Sequence, residues 1–382
     1  MRVLICPDKF AGTLSAPEAA RAIAAGWRER APGDETVLRP LADGGPGFVA
    51  VLAEALGGRR LPVATVDPLG RPARGEVLLV DQTAYVESAQ ACGLHLLSAG
   101  ERDPDITTSY GLGLLLAGAV EAGATEVVIG LGGSATNDAG AGMLAALGAG
   151  PVDVAGFALP YGGAALAAAD QLAGRPQLRQ VSLVAATDVD NPLTGLHGAS
   201  NVFGPQKGAS REAVLRLDAA LERFAGVLER AFGVAGLTTM PGGGAAGGIG
   251  AALLALGGRV VSGIGLVTEA IGLPAELDRA DLVITGEGSF DHQSLRGKVA
   301  AGVANGARDR GLPCVVVAGR VETGQREAAS AGVTELRSLT EHFGSAERAM
   351  AEPERGLREI GARLAAQWSR TSADPTHHPE KD

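Results

Sequence analysis

Short apolar runs alternate with amphipathic stretches at both ends of the chain, and the two ends share one grammar. Val3 to Ile5 is an apolar run of the length and branching expected of a buried strand. A helix follows from Ser15, where Glu18 three positions on predicts a capping box and Pro17 is tolerated in the first turn. Thr36 to Leu41 predicts a second strand, which ends in Ala-Asp-Gly-Gly. From Asp281 the pattern returns as strand Leu282 to Thr285, a polar glycine-rich turn and a helix from about Gln293 to Arg310. Strands Cys314 to Ala318 and Val333 to Ser338 come next, then a terminal helix ending near Trp368. Strands alternating with helices in this way predict a doubly wound parallel sheet.

The middle of the chain reads differently. Residues 75–88, EVLLVDQTAYVESA, form two short strand patterns around Asp81-Gln82, which predicts antiparallel pairing. A helix near 109–123, strand Val127 to Leu131, a helix to about Leu147 and strand Val181 to Ala186 follow. A longer helix then carries Val214, Leu217, Leu221, Phe224 and Leu228 on one face. We therefore expect residues 1–60 with 275–368 to form one domain and residues 61–274 to form a second α/β domain inserted into it, with mixed or antiparallel strands. Residues 369–382 are polar and expected to be a disordered tail.

Composition narrows the class. A chain of 382 residues exceeds one ordinary core, and 57 glycines with 3% aromatic residues point to small-residue packing and many backbone-lined turns. Three widely spaced cysteines without a C-x-x-C pair exclude a disulfide framework and a zinc site, and fit a reduced cytoplasm. The net charge of −10 leaves no footprint for nucleic acid. Residues 231–258 carry no charge over a length that could span a bilayer, but their glycines and Pro241 predict a buried loop leading into a helix. The N-terminal apolar run stops at Pro7, too short for a signal peptide, so neither a membrane nor export is expected.

Charge usage points to the chemistry. Of four lysines, Lys9, Lys207 and Lys298 lie inside Gly- and Asp-rich polar segments, in a chain that otherwise uses arginine. A compact ammonium suits a phosphate-handling site. CPDKFAGTLSA puts Asp8 and Lys9 beyond a strand end, where open α/β sheets bind ligands, and Asp43 takes the corresponding place after the second strand. GLGGSATNDAGAGM follows a strand with Gly132, Gly133, Ser134, Asn137 and Asp138, a pattern suited to an oxyanion or to a capped structural turn. ATDVDNPLTGLHGASNVFGPQKGA holds Asp188, Asp190, Asn191, Gln206 and Lys207, and paired carboxylates there can supply a base and an orienting or metal-binding partner. DLVITGEGSFDHQSLRGK adds Glu287, Ser289, Asp291, Gln293, Ser294 and Lys298. Gly242, Gly244 and Gly247 match G-x-G-x-x-G, but with 57 glycines about one chance match is expected.

These segments, in this order, resemble the type I bacterial glycerate kinases over residues 1 to about 368. The resemblance implies a flavodoxin-like Rossmann domain with an inserted α/β domain and an active cleft between them. It also implies transfer of the ATP γ-phosphate, with Mg²⁺, to the 2-hydroxyl of D-glycerate. On that reading Asp190 is the leading base, with Asp188 as a second candidate. Glu287 and Asp291 are metal candidates, and Lys207 and Lys298 offset charge. The remaining polar residues named above bind substrate or nucleotide, and a homodimer is allowed. Two positions depart from the family pattern: the lysine usual at the position of Ala11 is absent, with Lys9 two residues before it, and Pro46 stands where an acid is common. The competing readings are an NAD(P)-dependent hydroxy-acid dehydrogenase, which requires a strand just before Gly242, and a nonenzymatic sugar-acid-binding protein.

Overall fold

A computed structural model describes residues 1–10, 12–178, 180–292, 294–296 and 299–369. The expected tail beyond Ser369, the departure at Ala11, and the candidates Gln293 and Lys298 lie outside the described residues. The chain divides into two compact units, one built from residues 1–42 with the chain from 268 onward, the other from residues 43–267. The described strands before the insertion are β1 (Arg2–Ile5) and β2 (Glu35–Leu38). Those within it are β3 (Arg59–Val66), β4 (Pro72–Val80), β5 (Thr83–Glu87), β6 (Glu126–Gly130), β7 (Gly150–Val152), β8 (Gln171–Ala173), β9 (Ser182–Ala186) and β10 (Arg259–Val261). After it come β11 (Leu282–Phe290), β12 (Cys314–Val321) and β13 (Glu335–Ser338).

The first unit is a five-stranded parallel sheet in the order β13-β12-β11-β1-β2. This is the doubly wound arrangement in which β1 and β11 flank the switch point. Val3, Leu4 and Ile5 pair with Leu282, Val283 and Ile284 and are sealed from water. Ser15 and Glu18 form the expected capping box at the start of the helix Ala16–Arg30. That helix packs on Pro353–Trp368 so closely that a Cβ on Gly26 would lie 1.8 Å from the Arg358 carbonyl oxygen. β11 is longer than the apolar run predicts. Its last residues keep pairing, Glu287 opposite Ala318 and Ser289 opposite Arg320, because β12 continues beside them to Val321. Glu287 and Ser289 therefore sit within the strand and not in a turn beyond it.

The second unit carries a six-stranded sheet, β10-β9-β6-β5-β4-β3, and a small β7-β8 pair. β10, β9, β6 and β5 are parallel, while β4 and β3 complete an antiparallel edge. Asp81, at φ 50°, makes the tight turn expected between β4 and β5. The helix Phe48–Leu56 belongs to this unit because Phe48 meets Tyr85 of β5 edge-on at 6.4 Å, which moves the boundary from residue 60 to 42. At the other boundary Glu276, expected in the first domain, binds Arg2 and Arg39 there, and Leu273–Leu277 goes with it. The helix Arg211–Phe232 buries all five residues of its predicted apolar face. Among the described residues no helix is long and apolar enough to cross a membrane. No strand stands just before Gly242: the element before the G-x-G-x-x-G segment is the helix Arg211–Phe232, and the segment runs into the helix Ala245–Ala255. Gly247 is there for packing, since at φ +67° its Cβ would lie 1.9 Å from the Thr136 carbonyl. The dehydrogenase reading loses the strand it requires.

Candidate functional site

In the first unit the candidates gather at the carboxyl ends of β1 and β11. The amides of Cys6 and Asp8 donate to the carbonyls of Ile284 and Gly286 at 2.8 Å, so the chain stays beside β11 past its last strand residue. Asp8 is buried, its carboxylate accepts from the Lys9 amide at 2.7 Å, and the Lys9 ammonium lies 3.6 Å away. Glu287 is also buried. Asp291 and Ser294 brace one another, the Asp291 amide donating to Ser294 Oγ at 3.1 Å and the Ser294 amide to Asp291 Oδ1 at 3.0 Å. Ser294 is wholly buried and serves this turn. The set combines an ammonium, hydroxyls and carboxylates at a switch point, chemistry that suits a polyphosphate with its cation. Among the described residues no three His, Cys, Asp or Glu side chains form a metal cage.

In the second unit three loops meet at the carboxyl ends of β6 and β9. Asp43 closes its own turn by accepting from the Gly45 amide at 3.0 Å. The following glycines lie flat over the strand ends: a Cβ on Gly44 would be 2.7 Å from the Ala186 carbonyl, and one on Gly132 would be 2.4 Å from Gly45 Cα. The Gly132 amide donates to the Gly44 carbonyl at 3.0 Å. Packing of loop on loop thus accounts for Gly132. Pro46, the second departure, is followed by amides of Gly47 and Val49 that donate to the buried Glu87 carboxylate at 3.0 and 3.4 Å. An acid at that helix start is favourable, and nothing in the sequence pattern marks Glu87 for the role.

The 132–138 turn faces inward. Asp138 is fully buried and accepts from the Ser109 amide and hydroxyl, both at 2.8 Å, and from the Gly142 and Gly140 amides at 3.1 and 3.2 Å. Burial pushes its carboxyl above the ordinary value, while those donors pull it down. Asn137, also buried, donates to Ser200 Oγ at 2.9 Å. Lys207 is only 2% exposed, and its ammonium donates to Ser134 Oγ at 3.1 Å and to the Thr136 carbonyl at 2.6 Å. Burial lowers its pKa to about 8, opposed by the negative charge of Asp138 and by Cys92. The lysine of FGPQKGA is therefore a core cation tied to the glycine-rich turn, while its neighbour Gln206 is exposed.

The two carboxylates after β9 differ in kind. Asp188 braces the start of the helix Gly263–Ala270: Oδ1 accepts from Ser262 Oγ at 2.6 Å and Oδ2 from the Ile264 amide at 3.1 Å. Ser262 is a partner that sequence spacing gives no reason to suspect. Asp190 is exposed, and among the described residues its carboxylate takes part in no hydrogen bond or ion pair. Its backbone is pinned, since its carbonyl accepts from the Gly242 amide at 3.1 Å. Asn191 is held by its own amide group, which donates to the His197 carbonyl at 2.8 Å.

Residues 3–369 match the model of the glycerate kinase family. The chain is 44% identical over 325 residues to the glycerate 2-kinase of Escherichia coli K12, covering 84% of this chain and 85% of that one. It is 42% identical over 345 residues to the glycerate kinase of Bacillus subtilis 168, covering 89% and 90%. A crystal structure from Salmonella typhimurium LT2, provisionally assigned as glycerate kinase 2, superposes with a TM-score of 0.78 at 40% identity and covers 96% of this chain and 98% of that one.

Proposed function

The chain belongs to the glycerate kinase family and is a kinase, and on that premise we propose that it transfers the γ-phosphoryl group of ATP to the 2-hydroxyl of D-glycerate. The observation that carries this reading to the residue level is the exposed Asp190 carboxylate, fixed by its backbone beyond the end of β9 and bonded to nothing among the described residues. Such a group is free to take the proton of an attacking hydroxyl, which Asp188, engaged by Ser262 and Ile264, is not. Lys207 holds the turn that carries Ser134 and contributes positive charge near the transferring group. Asp8, Lys9, Glu287, Ser289 and Asp291 line the switch point, where the nucleotide would bind. Mg²⁺ held with the nucleotide by Glu287 and Asp291 would neutralise phosphate charge when bound. A reduced cytoplasm suits the three free, buried cysteines.

The test is ADP release from purified protein with D-glycerate, followed by NMR of the product. A 3-phosphorylated product would reject the regiochemistry, and no ADP above background would reject the reaction.

The pH profile carries a separate expectation. Turnover should fall above about pH 8 as Lys207 loses its proton. Its contribution to folding runs the other way. The folded-state pKa is depressed below the unfolded value of about 10.4, so between about pH 8 and 10.4 the unfolded chain binds more protons, and stability from this group rises with pH. Activity and thermal midpoint measured in the same buffers should diverge above pH 8. A parallel decline of both would mean that general unfolding, not Lys207, sets the alkaline limb.

A further inference from the structure

Arg102 lies on the loop that backs the 132–138 turn, and no partner among the described residues accounts for its charge. It is half-buried, its Nε is shielded from water, and no hydrogen bond or ion pair reaches it among the described residues. The other half-buried guanidiniums in the described residues behave differently: Arg2 and Arg39 both bind Glu276. The acids beside it in sequence are engaged elsewhere: Glu101 binds Arg71 at 2.6 Å, the Asp103 carboxylate accepts from the Asp105 amide at 3.0 Å, and Asp105 binds Arg216 at 3.0 Å. A guanidinium that loses water without gaining a partner costs stability, so an orphan of this kind calls for a ligand.

The surroundings indicate which ligand. The loop is tied to the turn by three bonds: the Ala135 amide to the Cys92 carbonyl at 2.6 Å, the Leu94 amide to the Gly133 carbonyl at 2.9 Å and Thr107 Oγ1 to the Ala135 carbonyl at 3.1 Å. It also touches the residue after Lys207, because a Cβ on Gly208, at φ +100°, would fall 2.1 Å from the Arg102 carbonyl oxygen and 3.2 Å from its Cβ. Lys207 itself has three N–H donors, of which Ser134 and Thr136 take two. Two more buried atoms of this loop cluster lack partners, Thr136 Oγ1 and Asn137 Oδ1. The loop and the turn therefore carry a planar fork, one ammonium donor, a hydroxyl and an amide oxygen with unused hydrogen-bonding capacity. That set matches a small hydroxy acid: a carboxylate for the cations and a hydroxyl for the amide.

We propose that Arg102 is the specificity-determining residue that reads the carboxylate of the acceptor substrate, from the loop cluster that it shares with Lys207 and the 132–138 turn. The assignment rests on the glycerate reading and adds to it the group that distinguishes an acid from a neutral polyol.

Calorimetric binding tests it without turnover, using D-glycerate, its neutral amide and ATP on wild type, Arg102→Ala and Arg102→Lys. Wild type should bind the amide about 10²-fold more weakly than the acid. Arg102→Ala should weaken D-glycerate by about 10²-fold, leave the amide unchanged and so lose the discrimination, with ATP affinity intact. Arg102→Lys should recover part of it, since the charge returns without the fork. A rise in the Kd for ATP with D-glycerate unaffected would assign Arg102 to the nucleotide and overturn the proposal. So would a lowered melting temperature with unchanged glycerate binding, which would make Arg102 a structural group facing Asp105. Wild type that binds neither acid nor amide would instead reject the glycerate reading itself.

Discussion

Asp190→Asn is expected to lower kcat by about 10² or more while leaving ATP binding and folding stability close to wild type. The substitution keeps the shape of the side chain and removes only its capacity to accept a proton. Because the carboxylate bonds to nothing among the described residues, no structural contact is lost with the charge. The backbone bond from Gly242 is untouched, so the loop keeps its course. Asp188→Asn is the contrasting variant. It exchanges one acceptor of the Ser262 and Ile264 cap for a donor and should register in the melting temperature as well as in turnover. Near-normal turnover of folded Asp190→Asn would remove Asp190 from the reaction.

Lys207→Ala should lower kcat by about 10²-fold and raise the KM for D-glycerate or ATP at the same time. Two effects are mixed in that variant. The ammonium is lost with its bonds to Ser134 and the Thr136 carbonyl, and a void is left in a place that water does not reach. Lys207→Met separates them, since it fills the same volume without the ammonium. A Met variant with wild-type stability and the kinetic defect of the Ala variant would locate the effect in the charge. Restored turnover in Lys207→Met would show that the lysine only fills space, and the charge-offsetting role would be abandoned.

Local patterns carried a good part of the fold, for identifiable reasons. The Ser15–Glu18 capping box, the apolar face of Arg211–Phe232 and the pairing of Val3–Ile5 with Leu282–Ile284 all rest on short-range periodicity in buried elements. β3 was not legible. It is an edge strand with two arginines and Pro62, features that keep an edge from aggregating and also disguise it. The end of β11 was hidden because polar Glu287 to Ser289 become strand only when β12 lies beside them.

At the site, residue types were readable and their orientation was not. A lysine in Gly-Pro-Gln-Lys-Gly reads as an exposed loop cation, yet it is buried among the 132–138 turn's groups, more than 70 positions earlier. Ser262 meets Asp188 across 74 positions. Nothing in Glu-Arg-Asp-Pro-Asp singles out Arg102, and only the packed structure shows Asp105 paired with Arg216 instead. The glycine-rich turn at 132–138 suggested ligand contact, whereas backbones that touch explain Gly132, and the same close packing accounts for Gly247, whose motif is a chance match.

The way in which the first unit is interrupted bears on how the chain is made. β1 and β2 leave the ribosome early, but β1's other neighbour in the sheet is β11, so Val3 must wait for Leu282. At about 5–20 residues per second that interval lasts on the order of tens of seconds. Throughout it the β1 edge and the face of Ala16–Arg30 that will meet Pro353–Trp368 have no native cover. The continuous second unit needs nothing from the C-terminal segment and can fold while it is awaited. Once folded, it turns more than two hundred residues of free chain into a compact spacer, so the entropic penalty of closing β1 onto β11 falls from that of a long loop to that of two short tethers. The β1–β2 segment is accordingly the part of the first unit that waits longest for its native neighbours, and a folded insertion shortens the loop that must close to bring them together.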